Sequence, residues 1–190
     1  PKLLEFDKVI HDVQKNTGIM LTENAARMTE LSIKTAEFGM DIQQTADFMG
    51  QLSEELRTTD FNVLSQAADD LKAIQLATGV SSENLSAMAG EMMRNGQSSE
   101  QVAESMANAN VYAKRFGVSS KKVLDGMSRN ITKMRTMGFT GGEKSLMKMV
   151  ATAERLRMNV DEIFDVAAKA RNIEGAMEMA AELQLAGGSF

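Results

Sequence analysis

The residue types that usually carry catalysis are sparse in this chain of 190 residues. It has no cysteine, so disulfides, thiolate metal sites and cysteine nucleophiles are excluded. It has a single histidine, His11, which by itself supplies neither a metal site nor a proton relay. We interpret His11 as an exposed side chain on the polar side of a helix, between Ile10 and Asp12.

Three further patterns resemble reactive motifs only in their letters. Residues 140–145 read Thr-Gly-Gly-Glu-Lys-Ser, but Glu143 stands where a phosphate-binding loop needs glycine. The adjacent carboxylates Asp69 and Asp70 diverge by about 100° on a helix, so they form no acid–base pair by themselves. The glycosylation sequon at residues 130–132 falls inside a predicted helix. We therefore predict a protein that is not an enzyme and needs no metal or other cofactor.

Charge is distributed unevenly along the chain, whose net charge is −5. The net charge is −9 over residues 1–110, +8 over residues 111–160 and −4 over residues 161–190. On helices, the basic block forms two stripes that lie opposite apolar residues. We call these six residues the basic face: Lys122, Arg129 and Lys133 on one predicted helix, and Lys144, Lys148 and Arg155 on the next.

The basic face has three interpretations. It is a solvated surface, a docking surface for acidic parts of this chain or of a partner protein, or a nucleic-acid site. Aromatic residues make up only 5% of the chain, which leaves few rings for stacking on bases, and its overall acidity disfavours phosphate binding. We expect a solvated or protein-docking face, and we do not expect nucleic acid as a partner.

The elements that position these residues are predicted to be α-helices. The only proline is Pro1, tryptophan is absent, and alanine, glutamate, leucine, lysine and methionine are abundant. Sixteen methionines suit small helical cores, and also surfaces that must repack, because the thioether side chain is flexible. The predicted fold class is all-α.

One sequence pattern, which we call the corner motif, recurs along the chain: a glycine, an apolar residue, a polar capping residue and then a new amphipathic stretch. Its period is about 20 residues, and the one double interval places a missing glycine near residues 57–60. Arg157 continues the period with arginine in place of glycine. The six corner glycines are Gly18, Gly39, Gly79, Gly96, Gly117 and Gly138.

Each corner motif predicts the end of one helix and the start of the next. Glycine adopts the left-handed conformation after the last turn, and the polar residue caps the following helix. Three starts have the spacing of a capping box: Ser98 with Gln101, Thr140 with Glu143, and Asn159 with Glu162.

Apolar residues between the corner motifs follow the helical period. One example is the stripe of Leu85, Met88 and Met92, which we expect to be buried. About ten short amphipathic helices are predicted, starting near residues 3, 22, 41, 60, 82, 99, 120, 142, 160 and 173. We favour consecutive helical hairpins with glycine corners over a long continuous helical layout. The predicted domains are a helical arm at 1–75, which could oligomerise, and a compact helical-hairpin domain at 76–190.

No apolar run is long enough to span a bilayer, and the first twenty residues do not resemble a signal peptide. The chain begins at Pro1 without an initiator methionine, so we interpret it as a piece of a longer protein.

Residues 77–190 resemble part of a tailed-bacteriophage tail tape measure protein. The resemblance lies in the glycine-punctuated helices and in two phrases, ATGVSSENLSAM at residues 77–88 and EGAMEMAAELQLAGGSF at residues 174–190. The first 75 residues are similar only in helical style. The family has no catalytic signature that could be matched to this chain.

The resemblance implies a structural virion protein that lies inside the tail tube, sets tail length through its own chain length and leaves ahead of the DNA at genome ejection. Its partners would be copies of itself, as a trimer or hexamer, and tail tube or baseplate hub proteins. It would occur in the virion, in the tail interior or at the tail tip, and in the host cytoplasm during assembly; membrane contact would be confined to ejection.

Two other functions are open on the residues alone. One is an all-helical adaptor module that binds proteins or peptides without catalysis. The other is a non-catalytic helical domain of a larger cell-wall hydrolase or of a secreted effector.

Overall fold

The protein is described by a computed structural model covering residues 2–20, 23–37, 39, 41–138, 142–161, 163 and 164. In this part of the chain all regular structure is helical, with no strand, so the all-α prediction is confirmed. The eight helices are α1 (Lys2–Thr17), α2 (Ala25–Ala36), α3 (Ile42–Leu56), α4 (Phe61–Thr78), α5 (Ser82–Arg94), α6 (Ser99–Phe116), α7 (Ser120–Thr136) and α8 (Gly142–Leu156).

The ninth predicted helix start, near residue 160, falls where residues 160, 161, 163 and 164 are helical. The tenth, near residue 173, lies outside the described residues.

Successive helices pack as antiparallel pairs, and the pairs stack so that each helix also packs on the helix two positions along the chain. Helices α1, α3, α5 and α7 therefore form one layer, and α2, α4, α6 and α8 form the other. The predicted boundary between residues 75 and 76 lies within α4, and α3 and α4 pack on α5 and α6. The oligomerising role of residues 1–75 stays a prediction.

The glycine corners form as predicted. All six corner glycines have positive φ, between 60° at Gly138 and 90° at Gly96. Helices α4, α5, α6 and α7 each end within two residues of their corner glycine. The two corner motifs that lack glycine have the same geometry, since the backbone of Arg57 and of Arg157 is in the left-handed conformation with φ of 52° and 56°. A helix corner is therefore present at these two positions although the period lacks its glycine there.

Side-chain caps start most of the helices. The capping box of Ser98 and Gln101 is present, as predicted. A second box, which was not predicted, joins Asp41 and Gln44 at the start of α3. Asp60, Ser81 and Ser119 also accept hydrogen bonds from backbone N–H groups of the first turn. Thr140 and Glu162, members of the other two predicted boxes, lie outside the described residues.

The core runs between the two layers. Leu85, Met88 and Met92 are completely buried, so the predicted stripe is confirmed. Methionine contributes to the core in six of the eight helices, with these buried residues: Met28, Met49, Met88, Met92, Met106, Met127, Met134 and Met147. The flexible side chain thus fills gaps between short helices, which are only marginally stable in isolation.

Candidate functional site: the basic face and the α6–α8 groove

Helices α7 and α8, which carry the basic face, approach each other closely because α7 has glycine at the contact. A Cβ atom added to Gly126 would lie 2.6 Å from Cγ1 of Val150, too close for any real side chain. The neighbouring Val123, Met127 and Leu146 are buried around this contact. The close approach fixes the two basic stripes on one tightly packed helix pair.

The stripe on α7 is largely paired with carboxylates of this chain. Lys122 Nζ lies 3.3 Å from Glu154 Oε2, and Lys133 Nζ lies 3.4 Å from Asp161 Oδ1. Lys133 also lies over the ring of Phe164, 5.2 Å from its centroid. Because these pairs are partly exposed, each contributes little to the free energy of folding. They reduce the positive charge that α7 presents to solvent.

The stripe on α8 lies in different surroundings. Lys144 and Lys148 are exposed, and neither forms an ion pair within the described part of the chain. The guanidinium of Arg155 lies over the ring of Phe116, 5.1 Å from its centroid. Phe116 in turn stacks on Tyr112 with their ring centroids 4.9 Å apart. On α7, Arg129 is exposed and forms no ion pair within the described residues. The structure therefore separates the basic face into a partly neutralised half on α7 and a half on α8 that borders α6.

A groove lies between α6 and α8, beside the second stripe. Its volume is about 420 Å³, and its floor includes Val111, Tyr112, Met127 and Met147. Two cations, Arg115 of α6 and Lys144 of α8, line its rim, and no carboxylate pairs with either among the described residues. Ser105 and Asn108 add polar groups along α6. An apolar floor with a cationic rim suits an acidic and partly apolar ligand.

The sequence pattern did not single out this groove. Arg115 belongs to the basic block, and Tyr112 and Phe116 are among its few aromatic residues. The floor, however, combines side chains of three helices, and only their packing shows that Val111, Met127 and Met147 share a surface.

A second electrostatic feature, an ion-pair network, was also not predicted. Arg94 Nη2 lies 2.6 Å from Glu91 Oε2, and Arg135 Nη1 lies 3.0 Å from Glu91 Oε1. The network extends from Arg94 to Glu55 at 3.2 Å and from Arg135 to Glu143 at 2.9 Å. It joins α3, α5, α7 and α8 through side chains up to 44 residues apart in sequence.

The network shifts the ionisation of its central members. Hydrogen bonding from Arg94, supported by Arg135, lowers the pKa of Glu91 below its ordinary value although partial burial opposes this. Hydrogen bonding to Glu91 raises the pKa of Arg94. Both shifts favour the charged pair, so the network is a structural tie between helices and supplies no group poised for proton transfer near neutral pH.

The other reactive-looking residues lie in ordinary surroundings. His11 is exposed on α1. Asp69 pairs with Lys72, whereas Asp70 accepts hydrogen bonds from Ser99 at 2.5 Å and Gln66 at 2.9 Å, so the two carboxylates point to different partners.

Asn130 of the sequon is buried within α7, where its Nδ2 donates to the carbonyl of Gly126 at 2.8 Å. In the described part of the chain, no three His, Asp or Glu side chains cluster as metal ligands would.

In the described residues, the protein is a two-layer stack of helices with a groove between α6 and α8. No family model, curated protein or solved structure matches this chain. Among the helices of the described residues, none is both long enough and apolar enough to cross a bilayer.

Proposed function

We propose that this chain is a structural, non-enzymatic module of a tail tape measure protein, acting in tail assembly and genome ejection. The proposal starts from the resemblance of residues 77–190 to that family. Its partners would be copies of itself together with tail tube or baseplate hub proteins, and it would reside in the virion tail.

One structural observation supports this proposal above the others: short helices pack through a methionine-rich core. Each of the eight described helices has at most 18 residues, and successive helices hold one another through buried apolar faces. Such helices are marginal alone, so the stack can lose structure one unit at a time. A chain that must pass through a narrow tube and pack again afterwards benefits from this property, and methionine adapts to changed partners.

The test is to locate the chain in particles of the phage that encodes it. We expect peptides of residues 77–190 in purified intact tails by mass spectrometry, and their loss from particles that have released their DNA. The tube protein is the control, because it should remain in both samples. Intact tails that lack the chain, or emptied tails that retain all of it, would exclude the proposal.

A second test uses chain length. Tail length should fall when residues 80–117, which follow Gly79 and end with Gly117, are deleted in frame. The expected decrease is about 1.5 Å per residue if the segment is extended as helix in the ruler. An unchanged length with normal assembly would show that this segment is not part of the ruler.

The groove between α6 and α8 favours a second candidate function, an adaptor that binds a partner protein on its helical surface. An adaptor should be a stable monomer, whereas the tape measure proposal expects trimers or hexamers. Analytical ultracentrifugation of the purified chain distinguishes the two states.

A further inference from the structure

We propose that the groove between α6 and α8 binds an acidic, amphipathic α-helix of a partner protein. The inference does not depend on a role in the virion, since either candidate function can use such a contact.

The floor of the groove provides the apolar half of the match. Val111 is 47% exposed, although it is a large apolar side chain in a concave surface. The half-buried Tyr112 continues this apolar floor, and Met127 and Met147, which are buried, form its base. Methionine side chains adjust to the shape of a docked helix, as they do on other surfaces that bind amphipathic helices.

The distribution of exposed apolar side chains supports the choice of this face. In helices α2 to α8, the large apolar side chains that remain exposed among those described all belong to α2, α4, α6 and α8. They are Ile33, Val63, Leu76, Val111 and Leu156. Among the described side chains of α3, α5 and α7, no large apolar residue is exposed. Val111 is the member of this set that lines the groove.

The rim determines the charge of the partner. Arg115 and Lys144 are exposed without a carboxylate partner among the described residues, whereas Glu143, the one acidic residue of the lining, is already paired with Arg135. A basic helix would be repelled by this rim, and an acidic helix would be attracted.

The dimensions fit a helix of about three turns. The α6 side of the groove runs from Ser105 to Arg115, which is about 15 Å at 1.5 Å per residue. A single-stranded nucleic acid would instead need several free aromatic faces. Only Tyr112 lines the groove, because Phe116 is stacked between Tyr112 and Arg155.

The experiment uses the full chain with ¹³C-labelled methionine methyl groups and two synthetic probes. The first probe is an 18-residue peptide with leucine at positions 4, 8, 11 and 15 and glutamate on the opposite side; the second carries lysine for every glutamate. We expect the acidic peptide to shift the methyl resonances of Met127 and Met147 while those of Met28 and Met49 stay in place. The lysine peptide should cause no such shift.

Charge reversal of the rim tests the electrostatic half of the proposal. Fluorescence anisotropy should show affinity for the acidic peptide falling about tenfold or more in the double variant Arg115→Glu/Lys144→Glu. The control, Lys8→Glu/Lys15→Glu on α1, makes the same change in net charge at exposed positions and should leave affinity nearly unchanged. Circular dichroism confirms that each variant retains its helix content.

Four outcomes would overturn the proposal. The first is the absence of methyl shifts, and the second is equal binding of the two peptides. The third is displacement of the acidic peptide by a 20-nucleotide single strand, which would assign the groove to nucleic acid. The fourth concerns residues 165–190 of the chain itself. If replacing Glu174, Glu178 and Glu182 with glutamine shifts the methyl resonances of Met127 and Met147 without any peptide present, residues 165–190 fill the groove. None of these outcomes bears on whether the chain is found in purified tails.

Discussion

Single residues at the helix corners carry a conformational demand that the sequence shows directly. Six glycines adopt positive φ at corners, and Arg57 and Arg157 adopt the same conformation with a Cβ atom present. The left-handed region costs an ordinary L-residue about 1–2 kcal/mol relative to the right-handed one. The backbone N–H of Arg57 donates to the carbonyl of Ser53, a bond that glycine would also make. The Arg57 side chain is exposed and forms no hydrogen bond or ion pair with the described residues, so no side-chain contact compensates this strain.

Replacing Arg57 with glycine should therefore stabilise the protein. We expect the free energy of unfolding to rise by about 0.5–1 kcal/mol, because relief of strain exceeds the extra backbone freedom of the unfolded chain. Urea denaturation at neutral pH measures the change. The matched control is Gly79→Ala, which introduces a Cβ at φ 69° and should lower stability by about 1 kcal/mol. A loss of stability in Arg57→Gly would contradict the strain interpretation.

A second prediction at the residue scale concerns the buried stripe of α5. Met92 is completely buried, so Met92→Asp would place an unpaired charge in the core and should cost several kcal/mol, about 3 or more. The control is Ile33→Asp on α2, where the side chain is 62% exposed and the expected change is within about 0.5 kcal/mol. Thermal melts followed by circular dichroism measure both. Equal melting temperatures for the two variants would show that α5 does not pack as described.

At the scale of elements, the contact between α7 and α8 depends on one missing methyl group. Gly126→Ala would bring a Cβ to within 2.6 Å of Val150 Cγ1, and valine cannot move its branched side chain out of the way cheaply. Alanine gains about 1 kcal/mol of helix propensity over glycine, while overpacking costs about 1–3 kcal/mol. We expect net destabilisation of about 1 kcal/mol by urea denaturation.

The double variant Gly126→Ala/Val150→Ala isolates the cause. Removing the γ carbons of Val150 should make Gly126→Ala stabilising in that background, because only the propensity gain remains. Additive effects of the two substitutions would show that Gly126 does not contact Val150.

At the scale of the whole molecule, the Glu91 network should make stability depend on pH. The pKa of Glu91 is lower in the folded than in the unfolded chain, so its contribution is complete above the unfolded value of about 4.5. That contribution is lost as the pH falls through the lower, folded value. Wild type should therefore exceed Glu91→Gln in stability at pH 7, and the difference should shrink below pH 4.5.

Urea denaturation at several pH values between 7 and 3 gives this difference. Glu83→Gln on the same helix is the control, because Glu83 is exposed and lies outside the network, and its effect on stability should be small. A Glu91→Gln effect that does not change with pH would contradict the lowered pKa.

The charge of the whole chain leads to a prediction about DNA. Acidic flanks of −9 and −4 surround the basic block of +8, and Lys122 and Lys133 already pair with Glu154 and Asp161. Exposed charges are screened over about 8 Å at physiological salt. Neither short duplex nor single-stranded DNA should bind with micromolar affinity at about 150 mM salt in a titration followed by anisotropy. Micromolar binding that disappears in Arg129→Glu/Lys133→Glu would instead make nucleic acid the partner of the basic face.

Local features of this protein could be predicted from its sequence because they depend on a few neighbouring residues. The corners at Gly79, Gly96 and Gly117 follow from backbone conformation and capping, and the buried face of α5 follows from the helical period. The same local geometry identified Arg157 as a substitute for a corner glycine. Each of these features acts within one or two helical turns, so no knowledge of neighbouring helices was needed.

The tertiary structure decided which helices are neighbours. It thereby decided the ion-pair network, the groove and the surroundings of the basic face. Arg135 reaches Glu91 across 44 residues, and Val111 and Met147 share a groove although they lie on different helices. The two halves of the basic face differ only because Glu154 and Asp161 lie beside α7, while aromatic rings of α6 lie beside α8. Such pairings depend on which amphipathic helices pack against each other. The helical period does not reveal this, because it gives every helix an apolar face of nearly equal width.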